Sequence, residues 1–397
     1  MHNFLGRRTA VGLARIAARR QALTLGLSLA VSLLVPLTSP ASAGPALLFD
    51  ASSGRVLYAE DHDNVWHPAS LTKIMTAYMT FDAIKAGRLT MQSKIIASEL
   101  SVQQEPSKVG LPIGATMTVE LALQALIVKS ANDVAVMLAE AVSGNVEEFS
   151  KQMNATARRI GMTHTNFVNP HGLPAAQQVT TARDLGILAM AVLRDYPEYG
   201  SLWTQHDMRI GKRRLRTHNG LLRTYDGADG LKTGFICDSG YNVVATASRD
   251  GRRVVAVVLG EPSGAARTVR AAGLLEHGFQ AAAWNDLAQP PHTIRTLPVP
   301  IDAKSAPTIV RNELLNRECN GGRRRIPAVA AVAKAKQQRQ ELSKKAAAAG
   351  AASNVAPAAG PAAAAVPAVA PIRATPPSVP AAKTATPQPT VPVKAQN

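Results

Sequence analysis

Apolar and polar positions fall into readable patterns between residue 44 and about residue 285. Residues 46–60 alternate as two short strands around Ala51-Ser52-Ser53-Gly54, which predicts a hairpin-like opening. Over residues 69–84 the apolar positions Leu71, Ile74, Met75, Tyr78 and Met79 follow helical spacing, placing Ser70 at a helix N-terminus. Residues 118–143 read as helices with Thr118 as a cap. Asn145 followed by Glu148 has the form of a capping box for a helix running to about Ile160. After Gly230 the period shortens: residues 241–248 and 253–259 are β-rich runs joined across Asp250-Gly251, a dipeptide favoured in tight hairpins. A last helix over about residues 265–276 closes the body. Strands at both ends with helices between them predict an α/β (α+β) fold. Its N- and C-terminal strands share one antiparallel sheet, helices lie on the faces, and the middle is mostly helical.

The ends of the chain read differently. Arg7, Arg8, Arg15, Arg19 and Arg20 precede an uncharged apolar run over about residues 22–37, and Ala41-Ser42-Ala43 has the small-x-small pattern of a cleavage site. Residues 1–43 are therefore expected to be a signal peptide for general secretion. An uncleaved anchor is the alternative, but Gly26, Ser28, Ser32 and Pro36 interrupt a run already short for a membrane span. Beyond Trp284 the periodicity ends. Prolines 290, 291, 298 and 300 lead to Gly321-Gly322-Arg323-Arg324-Arg325 and then Pro/Ala repeats, so residues 286–397 are expected to form a mostly disordered Pro/Ala/Lys-rich tail.

That tail changes how composition is read. Of 397 residues 46% are hydrophobic, enough for a sizeable core, yet the tail's alanines, valines and prolines inflate the count without building one. Much of the net charge of +17 sits at the two ends. The cations are not interleaved with aromatics or gathered on one face, so nucleic acid is not expected as a partner. The basic tail could make weak contact with an anionic wall or membrane surface, although its composition also describes a solvated linker. Cys237 and Cys319 are the two cysteines. In an oxidising compartment they could form a disulfide stapling the start of the tail to the body, or remain two thiols. None of the nine histidines stands in a metal-ligand pattern, so neither a metal nor another cofactor is expected.

Three short motifs carry the candidate chemistry. Ser70-Leu71-Thr72-Lys73 sets a hydroxyl and an amine three residues apart on one helix face. A serine needs an adjacent base to act as a nucleophile, and a buried lysine beside other cations can lose its proton and serve as one. Alone this pattern is uninformative, since a chain of this composition contains about one S-x-x-K by chance. Ser130-Ala131-Asn132 falls between two helices, where the hydroxyl could relay a proton and the amide hold a carbonyl; Ser130 could equally be a helix cap. In Lys232-Thr233-Gly234 the cation and hydroxyl could bind a carboxylate. Gly234 would let substrate approach the strand, and the next N–H could face an oxyanion. The ordered conjunction of the three is specific where each alone is not.

Together they resemble the motif set of penicillin-binding proteins and serine β-lactamases. The flanking residues narrow this. His67-Pro68-Ala69-Ser70-Leu71-Thr72-Lys73-Ile74-Met75-Thr76, Val128-Lys129-Ser130-Ala131-Asn132-Asp133 and Gly230-Leu231-Lys232-Thr233-Gly234-Phe235 resemble the low-molecular-mass D-alanyl-D-alanine carboxypeptidases of peptidase family S11. Asn169-Pro170-His171-Gly172-Leu173 and Gly240-Tyr241-Asn242 do so too. The resemblance covers roughly residues 45–279. It implies a β-lactamase/transpeptidase-like fold and makes residues 44–285 a D,D-peptidase catalytic domain. It further implies hydrolysis of the terminal D-Ala-D-Ala bond of peptidoglycan stem peptides in cell-wall remodelling, with β-lactam antibiotics as covalent inhibitors. Ser70 would be the nucleophile, Lys73 its base, and Ser130 the proton donor to the leaving D-alanine. Asn132, Lys232, Thr233, Gly234 and Arg267 would bind substrate, and the backbone N–H groups of Ser70 and Phe235 would form the oxyanion hole. Phe235 departs from the polar residues common at its position, which bears on pocket shape and not on a backbone donor. The family's frequent β-rich second domain and C-terminal amphipathic helix are not found in the sequence. Residence in the periplasm or cell envelope, soluble or loosely associated, is the expectation. A D,D-endopeptidase, a β-lactamase and a non-catalytic wall-binding protein remain alternatives on the same scaffold.

Overall fold

In the computed structural model, which describes residues 44–284, 292–314 and 319, the two ends of the body meet in one antiparallel sheet. Strands β1 (Ala46–Asp50) and β2 (Val56–Glu60) form the expected opening hairpin. Two small hairpins follow, β3 (Lys94–Ile96) with β4 (Thr116–Thr118) and β5 (Asp207–Ile210) with β6 (Arg213–Arg216). Then come β7 (Ala228–Ile236), β8 (Gly240–Arg249) and β9 (Arg252–Glu261), and the five long-sheet strands run in the order β2-β1-β9-β8-β7. The turn between β8 and β9 is the Asp-Gly dipeptide, with both residues at positive φ (50° and 75°), the conformation that matches strand twist.

Near-continuous apolar runs in β8 and β9 are explained by burial on both faces. Side chains alternate across a strand. Accordingly Leu48, Ala245, Ala256 and Val258 enter one core layer, while Leu47, Phe49, Val244, Val255 and Val257 enter the other. The α-helices longer than four residues are α1 (Lys73–Lys85), α2 (Val119–Gln124), α3 (Asn132–Ser143), α4 (Val146–Ile160), α5 (Ala182–Asp195) and α6 (Gly264–Trp284). Ala271 and Leu275 of α6 cover the first layer, and the other helices build the second. Thr118 and Asn145 cap α2 and α4 as expected, their side-chain oxygens accepting N–H groups of Leu121 at 3.2 Å and Glu148 at 2.8 Å. Helix α5 is not singled out by the sequence pattern, although Thr181 caps it in the same way.

The sequence pattern ends the body near residue 285, and here the structure differs. Ile294 is fully buried in the main core, Thr293 bridges Arg55, and Val65 N–H donates to Lys304 O at 2.9 Å. Residues 292–314 therefore belong to the body. They are held by single anchors and backbone contacts, which leave no periodic signature. Cys319, whose pairing the sequence leaves open, is disulfide-bonded to Cys237 (S–S 2.03 Å, Cα–Cα 5.4 Å). The expected signal peptide, residues 285–291 and 315–318, and the tail from residue 320 onward lie outside the described residues.

One buried ion pair fastens this segment. Arg183 donates to both carboxylate oxygens of Asp63 at 2.7 Å, to Ile294 O at 2.9 Å and to Pro298 O at 3.3 Å. Burial pushes the Asp63 carboxyl up, but hydrogen bonds from His62 and Arg183 and the guanidinium charge outweigh it and hold the group down at about 2. Arg183→Met leaves a buried carboxylate uncompensated and strands two carbonyls. It is expected to lower unfolding free energy by about 3–5 kcal/mol, measured by urea denaturation. An unchanged midpoint would show that the segment does not depend on this pair.

Candidate active site

The three motifs meet in one cleft of about 480 Å³ between the end of the sheet and the helical half. Ser70 sits on a 3-10 turn (Ala69–Thr72) that runs directly into α1. This refines the expected helix start, because at three residues per turn positions 70 and 73 stack one above the other. Ala69 has φ +48°, a conformation unfavourable for a residue with a Cβ, and the turn is braced by Thr72 Oγ1 donating to Ala69 O at 2.9 Å. Gly172 lies against it at φ +85°, and a Cβ there would fall 1.8 Å from Ala69 O. Only glycine allows that approach.

Lys73 is almost fully buried, and its Nζ lies 3.0 Å from Ser70 Oγ, 2.7 Å from Asn132 Oδ1 and 2.6 Å from His171 O. These partners come from three separate parts of the chain. Burial above all, and the nearby Lys232 charge, depress the amine well below its usual value, with Asp133 opposing weakly. His171 is also lowered, to about 3, by burial and by Lys73, so its imidazole is neutral at physiological pH. The Asn169-Pro170-His171-Gly172 turn is shaped by Asn169 Oδ1, which accepts N–H groups of Gly172 at 2.7 Å and His171 at 3.3 Å.

Ser130 follows a π-helical turn (Ala125–Lys129) and has φ +59°, the second strained backbone in the cleft. The break turns Ser130 and Asn132 into the cleft, and no side-chain cap hydrogen bond forms at the start of α3. Ser130 Oγ accepts from Lys232 Nζ at 3.0 Å, and Lys232 donates also to Thr233 O at 2.8 Å. Asn132 Nδ2 donates to Glu105 O at 2.8 Å, which fixes Oδ1 toward Lys73. On β7, Gly234 passes close to the Ser70 turn. A Cβ added there would meet Pro68 O at 3.0 Å and Ser70 N at 3.1 Å. Phe235, next along, packs on Tyr241 with ring centroids 4.2 Å apart.

Arg267, on α6, reaches the same cleft and donates to His218 O at 3.2 Å. Burial lowers its guanidinium to about 10. Every residue named from the sequence for chemistry or binding is thus gathered at one place, with Lys73 and Lys232 just beneath the lining. Not assigned from the sequence were Ser107, His171 through its carbonyl, His218 and Tyr241. Ser107 arrives on a loop that Asp133 holds by accepting the N–H groups of Val109 and Gly110, a contact with no sequence signature. No carboxylate is found among the residues lining the cleft, which suits it to an anionic group.

A sheet made from both ends of the body, with a serine–lysine pair at its junction with the helices, is the β-lactamase/transpeptidase-like fold. Residues 35–263 match the profile of the family described as D-alanyl-D-alanine carboxypeptidase, and the chain belongs to that S11 peptidase family. It is 36% identical over 239 residues to the D-alanyl-D-alanine carboxypeptidase DacA of Haemophilus influenzae, covering 59% of this chain and 61% of the relative. Among solved structures, penicillin binding protein 5 of Haemophilus influenzae is similar at 35% identity and a TM-score of 0.58, covering 60% of this chain and 71% of that one. Penicillin-Binding Protein D2 of Listeria monocytogenes, in a cefotaxime-bound form, is similar at 32% identity and a TM-score of 0.55, covering 60% and 97%. The chain spans about three fifths of the length of the curated relatives it matches.

The site's electrostatics leave a trace in stability. Burial, then the Arg267 charge, lower Lys232 from 10.5 to about 7. Between those values the unfolded chain holds a proton that the folded protein has released, so this group makes stability rise with pH across that window. Below about 7 both states are protonated there and the cost is constant. Melting temperature followed from about pH 7 to pH 10 should therefore climb in wild type relative to Lys232→Met. Parallel curves would contradict the assignment.

Proposed function

We propose that this protein is a serine D,D-carboxypeptidase that removes the terminal D-alanine from peptidoglycan stem peptides through a Ser70 acyl-enzyme. The observation that carries the reading is the set of contacts around Lys73 Nζ. Two of its three neighbours, Asn132 Oδ1 and His171 O, can only accept. A neutral amine spends two N–H groups on them and turns its lone pair to the Ser70 hydroxyl, 3.0 Å away. Lys73 is then the general base. Ser70 Oγ attacks the carbonyl between the two D-alanines as its proton passes to Lys73. The backbone N–H groups of Ser70 and Phe235 stabilise the oxyanion.

Departure of D-alanine requires a proton on its amine, and Ser130 Oγ, hydrogen-bonded to Lys232, is the donor. Lys232, Thr233 and Arg267 bind the terminal carboxylate, with Gly234 allowing the peptide to lie close to β7. The second Nδ2 hydrogen of Asn132 orients the acyl side. Water then hydrolyses the ester and restores Ser70. A β-lactam would acylate Ser70 by the same route. The Cys237–Cys319 disulfide supports an exported, envelope location. No described helix is long and apolar enough to cross a membrane.

The full chain should be labelled by fluorescent penicillin and should release D-alanine from a pentapeptide ending in D-Ala-D-Ala. Ser70→Ala is expected to abolish both, and Lys73→Ala to slow acylation by about 10²–10⁴-fold. A folded wild type that takes no label would overturn the acyl-enzyme reading and leave a binding protein in its place.

A further inference from the structure

The cleft does not end at Ile236. A second cavity of about 310 Å³ lies beside it there, walled by His67, Pro174, Ala175, Ala176, Ile236, Asp238 and Ile309. It neighbours the cleft, since Ile236 lines both and Leu173 of the cleft precedes Pro174 of the cavity. Ile309 comes from the segment after α6, outside the stretch of residues 35–263 that matches the family profile. That segment is pinned beside β7 by Val310 N–H donating to Asp238 O at 3.1 Å, by the Arg311–Asp238 ion pair at 2.8 Å and by the Cys237–Cys319 disulfide. Ile309 is itself half exposed, an apolar side chain on an open wall.

The direction of the substrate follows from the order of groups along β7. On the carboxypeptidase reading, the terminal carboxylate lies at Lys232 and Thr233 and the reacting carbonyl at Phe235. Phe235 lies two to three residues beyond that pair, about 7–10 Å at about 3.3 Å per residue, so the peptide advances along β7 toward Ile236. The part of the peptide upstream of the scissile bond must then leave past Ile236, into the second cavity. We propose that this cavity, closed on one side by the disulfide-pinned segment, is a specificity subsite. Resting on that reading, it takes the aliphatic side chain of the residue preceding the D-Ala-D-Ala pair. Most of its walls are proline, alanine and isoleucine, which suit methylene groups, and Nδ1 of His67 is already hydrogen-bonded to Gln178 O at 2.8 Å. The Asp238 carboxylate at the rim is matched by Arg311, so the pocket does not demand a charged ligand.

The test uses the full chain and two peptides, acetyl-X-D-Ala-D-Ala, with X either Nε-acetyl-lysine or glycine. Wild type is expected to release D-alanine from the lysyl peptide with kcat/KM on the order of tenfold above the glycyl peptide. Ile309→Ser and Ala176→Trp, both at exposed positions on opposite walls, are expected to bring that ratio close to one. Penicillin labelling of each variant reports that it is folded. Hydrolysis of both peptides with a ratio unchanged by either substitution would overturn the subsite alone. No release from either peptide by penicillin-labelled wild type would overturn the carboxypeptidase reading and the subsite with it.

Discussion

The site depends on one lysine side chain taken out of water. Lys73 is 1% exposed, and the atoms around its Nζ are neutral oxygens: a serine hydroxyl, an asparagine amide and a backbone carbonyl. Such an environment gives an ammonium little return for its lost hydration, and a second buried lysine nearby adds repulsion. The neutral amine is the form that this environment favours. Arg267 lines the cleft further along, with Lys232 just beneath the lining.

Holding that arrangement costs local strain. Ala69 and Ser130, each adjoining or forming part of a motif, both occupy left-handed backbone conformations. Neither is stable from local sequence, and each is over-determined by packing. The Ser70 turn is pressed between Gly172 and Gly234, and the Ser130 turn is tied by Lys232 and by Asn132 N–H donating to Ser107 O at 2.7 Å. The buried sheet supplies the rigidity. Strand β7, at the sheet edge, is paired to β8 along its length, so Lys232, Thr233 and Gly234 are placed with the precision of a strand rather than that of a loop.

Much of the architecture was legible because its signals are local. The β1–β2 and β8–β9 hairpins, the Thr118 and Asn145 caps and the position of Ser70 ahead of a helix all follow from turn chemistry and periodicity within a few residues. The unread parts are those whose stabilising contacts are remote. The segment over residues 292–314 looks like the start of a spacer, with its prolines and scattered apolar residues. Arg183, more than a hundred positions earlier and held by Asp63, nevertheless donates to its carbonyls, and Ile294 enters the core.

By itself the sequence determined the chemical inventory: a hydroxyl and an amine three residues apart, a second serine with an asparagine, a Lys-Thr-Gly strand, and hydrophobic periods that define strands at both ends of a helical middle. Tertiary structure alone decided which oxygens surround Lys73, that its proton affinity falls, that Cys237 meets Cys319, and that a second cavity lies beside the cleft at Ile236. The division has a physical cause. Periodicity and turn preference act over a few residues, whereas burial, charge proximity and cavity shape arise only where distant stretches of chain pack together.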